Sequence, residues 1–238
     1  MLTWMTLGFL IGLQHALEAD HIAAVASLVS DKTGLKRIVR HGAIWGIGHA
    51  LTLGAFGGAV YALKLALTPR LENALELAVG VMLVLLGLRV IYRMVRDRIH
   101  FHVHRHSGGE AHFHAHSHAG DVADHRKSAH DHGHPDHGWR RSLAVGMMHG
   151  LAGSAAIVAL TASTASTPVL GLAFMALFGL GSIFGMAAFS AAIAVPFTLT
   201  ARSMTWAHRG LQLVAGVVAF GFGSYIVAEK GAALAAGM

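Results

Sequence analysis

Six apolar runs, at about 3–29, 40–66, 72–97, 142–162, 169–200 and 208–229, constrain this chain more than any other feature. Each reaches or exceeds the roughly 20 residues that a helix needs to cross a bilayer. With 54% hydrophobic and only 13% charged residues, and a mean hydropathy of +0.55, the 238-residue chain reads as an all-α membrane protein. The N-terminus has no basic leader, and its apolar run continues past any cleavage position, so it reads as a retained helix. The fifth run is long enough to kink, and Pro196 supplies a physical reason for a break.

A net charge of +6 and a pI near 10.2 would suggest a nucleic-acid partner in a soluble chain. Here the basic residues collect in the connections instead, which excludes that reading in favour of the positive-inside rule. If residues 98–141 share a side with the first and fifth connections, that side holds fifteen Lys and Arg, against Lys64, Arg70 and Lys230 on the other. The expected topology therefore has both termini outside and the 98–141 loop in the cytoplasm of a bacterial-type inner membrane. Arg89, Arg93 and Arg96 fall on one stripe at the inner end of the third run, where they can snorkel.

Residues 14–22, QHALEADHI, put two histidines and two carboxylates in the middle of the first run. Inserting an ionised Glu18 or Asp20 there costs about 2.5–3.5 kcal/mol each, so a partner, a bound cation or water must compensate. On one continuous helix at about 100° per residue, His15, Glu18 and His21 form a slanting stripe; Asp20 lies off it, so it either ligates only through a local distortion of the helix or turns toward another segment to support a ligand. The second run adds His49 within GIGHALTLG, and the fourth adds His149 within GMMHGLAGS. A shared site of His15, Glu18, Asp20, His21, His49 and His149 between helices is expected, for a cation or a proton pathway. The chain has no cysteine, and imidazole with carboxylate suits nickel, cobalt or zinc. His41 and His208, beside basic residues at run ends, are expected at the interface with headgroups.

The halves of the chain resemble one another. GLQHAL from Gly12 aligns with GMMHGL from Gly146, AIWGIGHALTLGAF from Ala43 with ALFGLGSIFGMAAF from Ala176, and ALELAVGVMLVLLG from Ala74 with GLQLVAGVVAFGFG from Gly210. The offsets of 134, 133 and 136 are nearly constant. His15 meets His149, Asp20 meets Ser154 and His49 meets Ser182. Three runs per half is odd, so the expected fold is six transmembrane helices as a 3+3 inverted-topology repeat, with residues 1–97 and 142–238 as the halves. Between them, residues 98–141 carry 13 histidines, many alternating as in HFHVHRH, and few large apolar residues. That composition predicts a disordered segment suited to buffering metal.

HALEADHI at His15–Ile22, followed by GHA at Gly48–Ala50, resembles the nickel/cobalt transporter family, whose signature H-A-x-D-A-D-H lies on a membrane helix and whose next helix carries a Gly-His pair. The resemblance implies that His15, Asp20, His21 and His49 recognise the metal, with Glu18 where Asp is usual. The helix preceding the signature in longer members is missing. HGLAGSAA from His149 replaces the Asp/Thr-rich motifs of the second half, as in short urease-accessory-type relatives. The resemblance implies a secondary carrier of Ni2+ or Co2+, with Zn2+ also admitted by the ligand types; uptake by alternating access of the two halves is expected, with efflux as the alternative. Its partners would be the dication, the lipid bilayer and a cytoplasmic metallochaperone, with no resident cofactor and no nucleic acid. Two rivals of other classes are a membrane metal-storage protein and an intramembrane metalloenzyme. The latter lacks an HExxH motif, and no phosphate-binding GxxxxGK[ST] sequence supports ATP hydrolysis.

Overall fold

The computed structural model describes residues 2–30, 32, 34–65, 67–96, 99–105, 111–117, 138–203 and 205–237. The membrane-spanning part is helical throughout. Four rods are long and apolar enough to cross a bilayer: Leu35–Ala62, Pro69–Arg96, Pro168–Thr200 and Trp206–Ala235. The first is composite, with α3 (Leu35–Thr52) passing through a π-helical turn (Leu53–Gly57) into α4 (Gly58–Ala62). The others are α5 (Pro69–Arg96), α8 (Pro168–Ser203) and α9 (Thr205–Ala235). Leu51, Leu85, Phe184 and Leu199 are each about three-fifths exposed, as suits helices whose outer faces meet lipid rather than water. The expected break at Pro196 does not occur, because α8 remains one helix through it, with the Thr198 hydroxyl donating to the Ala194 carbonyl at 2.7 Å.

The first and fourth runs are where a continuous helix was expected and is not found. The first divides into α1 (Leu2–His15) and α2 (Ala19–Val29). Glu18 is extended, with φ −67° and ψ 151°, while Leu17 and Glu18 donate backwards to the Gln14 and His15 carbonyls at 2.9 and 3.1 Å. A break here frees polar backbone and lets the charged side chains leave a single helical stripe, which lowers the cost of burying them in an apolar frame. The fourth run divides into α6 (Gly138–Ala152) and α7 (Ser154–Thr164), but more gently: Gly153 has φ −71° and ψ −8°, and its N–H still reaches the His149 carbonyl at 3.1 Å.

Small residues decide the packing, as expected where lipid removes most of the hydrophobic drive between helices. α1 lies against α8 and α6 against α3, while α3 crosses α8 and α5 pairs along its length with α9. Gly12 abuts the Phe178 carbonyl and Gly146 abuts the Trp45 carbonyl; Gly48 abuts the Leu143 carbonyl and Gly181 that of Phe9. Gly87 meets Gly216 and Phe220, and Gly223 meets Gly80 and Val84. A methyl group at any of these positions would collide with backbone. The larger core cluster centres on Val25, Leu28, Trp45, Leu83 and Met186, and a second on Leu53, Phe174 and Phe178.

Within 98–141, expected as a disordered segment, two stretches are described as paired strands. β1 (Ile99–Arg105) and β2 (Ala111–Ser117) form an antiparallel ladder in which His100 faces His116, His102 faces His114 and His104 faces His112 in the backbone register. The alternation of histidine with Phe, Val and Ala has the period of a strand, a signal outweighed in the sequence by overall polarity. α6 begins at Gly138, before the expected end of the segment, and residues 98, 106–110 and 118–137 lie outside the described residues.

Candidate metal site at the helix breaks

The two broken runs meet near their breaks, and there the sequence-predicted histidines converge. His15 ends α1, Asp20 and His21 occupy the first turn of α2, His49 comes from α3 and His149 from α6. His21, His49 and His149 are 2%, 0% and 1% exposed. Ring centroids lie 4.5 Å apart for His15–His21, 5.2 Å for His21–His49, 5.3 Å for His15–His49 and 4.7 Å for His21–His149. Two overlapping ligand triads result: His15, His21 and His49, and Asp20, His21 and His149, each with its donor atoms within 4.8 Å of one another. His21 belongs to both.

Carboxylates orient two of the imidazoles. The His15 Nδ1–H donates to Glu18 Oε1 at 2.8 Å, and the His21 Nδ1–H donates to Asp20 Oδ1 at 2.8 Å, because an ionised carboxylate accepts only. Each Nε2 then carries the lone pair that a metal needs, and neither Nε2 has a hydrogen-bond partner. The His21 backbone N–H also donates to Asp20 Oδ1 at 2.8 Å, while Asp20 Oδ2 stands 3.6 Å from His149 Nε2. Both ring nitrogens of His49 and of His149 lack a hydrogen bond. Four buried or nearly buried histidines with six unpartnered ring nitrogens are costly in a protein interior unless something binds them.

Aromatic walls enclose this cage. Trp45, one turn before His49 on α3 and 1% exposed, lies 5.4 Å from the His21 ring and 5.7 Å from that of His149. Phe178 lies 5.2 Å from His15. Thr52 pins α3 to α6 beside the cage by donating to the Gly48 and Met147 carbonyls at 2.7 and 2.9 Å. A cavity of about 940 Å3 leads away from the cage, with His15, Asp20, His21 and His149 at its inner end and Glu72, Glu76 and Ile226 toward the end of the bundle where α5 begins and α9 finishes.

Of the six residues expected to share the site, five converge. Glu18 does not join either triad; its side chain is 56% exposed, lines the cavity and holds His15 by the hydrogen bond above. Asp20, off the stripe of a continuous helix and expected to ligate only through a local distortion, is in the cage. Both placements follow from the break at 16–18, which invalidates an angle computed along one continuous helix. His41 is not interfacial: it is 1% exposed and bonds through Nδ1 to Ser142 Oγ at 2.8 Å, between α3 and α6. Half-buried His208 bonds Thr200 at 3.3 Å and Gln212 at 3.2 Å. Trp45 was missed as part of the cage wall, although its spacing from His49 is the i, i+4 step that shares a helix face.

Helical rods with lipid-facing apolar surfaces, broken around a buried cluster of imidazoles and carboxylate, define a polytopic membrane protein with a set of donors suited to a cation. No family model matches the chain, and no solved structure matches it. It is 35% identical over 236 residues, 97% of this chain and 93% of the relative, to the urease accessory protein UreH of Bacillus sp. (strain TB-90). The chain therefore belongs to the nickel/cobalt transporter family, as a short member of the urease-accessory type.

Proposed function

We propose that the protein is a secondary carrier that takes up divalent nickel or cobalt by alternating access, with the ion held by His15, Asp20, His21, His49 and His149. The observation that carries this reading is the cage itself: two triads of donors, two of their imidazoles pre-oriented by carboxylates, buried at the point where broken helices meet. Imidazole and carboxylate are suited to a borderline dication, and broken helices are a common setting for ion sites in secondary transporters. The relative's role as a urease accessory protein favours nickel as the cargo. Binding would draw the donors, now within 4.8 Å of one another, to the separation of about 3 Å set by metal–ligand bonds near 2.0–2.1 Å.

In this reading each broken pair, α1–α2 and α6–α7, makes one crossing, which gives six crossings as inverted repeats of residues 1–97 and 142–238 around the histidine-rich segment 98–141. The packing supports it. The Gly12–Phe178 contact recurs as Gly146–Trp45, and Gly48–Leu143 as Gly181–Phe9, each pair related by the sequence offsets of 134 and 133. With the termini outside, the cavity opens outward while Trp45 and the close α3–α6 contact seal the cytoplasmic side. That arrangement favours uptake over efflux. After the two halves rock, the ion would leave toward residues 98–141, where histidines buffer it.

The test is nickel accumulation by cells producing the full chain, with His21→Ala and empty vector alongside. Uptake predicts more cell-associated nickel than vector and its loss in His21→Ala. Less nickel than vector would establish efflux, and no difference from vector would overturn transport in either direction.

A further inference from the structure

Four of the chain's twelve Asp and Glu residues line the cavity that reaches the cage from the bundle end: Glu18, Asp20, Glu72 and Glu76. Among the described residues lining it there is no Lys or Arg, in a chain whose net charge is +6. Glu72 and Glu76 stand one turn apart on α5, on the same face, well removed in sequence from the cage. His21 and His149, almost wholly buried and with Nε2 atoms that make no hydrogen bond, line the inner end of the same cavity. The acidic entrance and the unpartnered imidazoles are thus two ends of one passage. At the entrance, Lys230 of α9 places Nζ 2.8 Å from Glu76 Oε2 and 3.4 Å from Glu229 Oε1. Lys230 is not itself among the lining residues, but Ile226, one turn earlier on α9, is.

We propose that Glu72 and Glu76 form a recruitment site for divalent cations at the mouth of the cavity, and that Lys230 is a tethered competitor which an arriving dication displaces from Glu76. The proposal rests on the transport reading above and extends it to the route of entry. A low-dielectric passage lined by charge of one sign focuses the field and raises the local concentration of a dication. A monovalent ammonium held on the same carboxylate keeps the mouth neutralised until a doubly charged ion outcompetes it, which selects against monovalent cations before the cage is reached. Removing Lys230 leaves the carboxylates free and should strengthen capture.

The experiment is Ni2+ uptake into proteoliposomes containing the full chain, measured as KM and maximal rate at low and high ionic strength. The Glu72→Gln/Glu76→Gln double variant is expected to raise KM about tenfold and to lose the rise of KM with salt that the unaltered protein shows, while the maximal rate stays within about twofold. Lys230→Gln is expected to lower KM about threefold. A Glu76→Lys/Lys230→Glu exchange keeps the ion pair and the α5–α9 fastening but removes a carboxylate from the cavity wall, so its KM is expected to rise. An exchange variant with the original KM would make the pair a structural staple and overturn recruitment, as would an unchanged KM in the double variant. A raised KM in Lys230→Gln would overturn the competitor role. Absence of Ni2+ uptake by the unaltered protein would instead overturn the transport reading, and recruitment with it.

Discussion

The two helix breaks begin from related sequences and end with different chemistry. Between α1 and α2, residues 16–18 leave the helix, Glu18 is fully extended, and the turn delivers His15, Asp20 and His21 to the cage with Glu18 behind His15. Between α6 and α7, Gly153 stays near helical geometry, and only His149 is delivered. The counterpart of Asp20, Ser154, spends its hydroxyl on the Leu151 carbonyl at 2.7 Å, and the counterpart of His49, Ser182, donates to the Phe178 carbonyl at 3.0 Å. Both serines are wholly buried. One half of the molecule therefore turns its polar groups toward a shared centre while the other satisfies them on its own backbone. In the inverted-repeat reading proposed above, the shared frame serves packing, and ligand chemistry is concentrated on one side of it.

Breaking that asymmetry at its strongest point should have the largest effect. His21 belongs to both triads, so His21→Ala is expected to weaken nickel binding by at least about 100-fold, measured by equilibrium dialysis of the purified full chain. His149→Ala removes a ligand from only one triad and should cost less than His21→Ala; equal losses would mean that the halves are equivalent at the ion. Next comes the orienting carboxylate: Glu18→Gln keeps the shape but weakens the hold on the His15 tautomer, with an expected loss of about 10- to 100-fold in affinity. Acidification should act in the same direction, since each imidazole ligand must be free of its proton at Nε2. Affinity measured in the same way is expected to fall as pH is lowered and to recover on return. The smallest effect should come from Ser154→Ala, within about twofold, because its hydroxyl faces Leu151 and not the cage.

Much of this was legible in the sequence, because insertion into hydrocarbon penalises polarity so heavily that His15, Asp20, His21, His49 and His149 stand out against apolar surroundings. The apolar runs likewise gave the rods α5, α8 and α9 to within a few residues of their ends. What periodicity concealed were the breaks. An apolar run with a charged centre has the same composition whether the helix continues or stops, and assuming continuity put Glu18 on the ligand stripe and Asp20 off it. Pro196 misled in the opposite sense, as a strong local breaker that lies inside one continuous helix. His41 looked interfacial from its basic neighbours, whereas its partner Ser142 lies a hundred residues away, a contact no local pattern carries. Glu72 and Glu76, near the start of α5, are joined to the cage by the cavity alone, a relation no local pattern carries.

The central claim, that a dication sits between the helix breaks on the first half's ligands, is tested most directly by anomalous scattering at the nickel edge from crystals of the full chain grown with Ni2+. The account predicts a peak within about 2.0–2.2 Å of the Nε2 atoms of His15 and His21, with His49 or Asp20 completing the contact. A nickel peak confined to the histidine-rich segment 98–141, with none between the breaks, would contradict it.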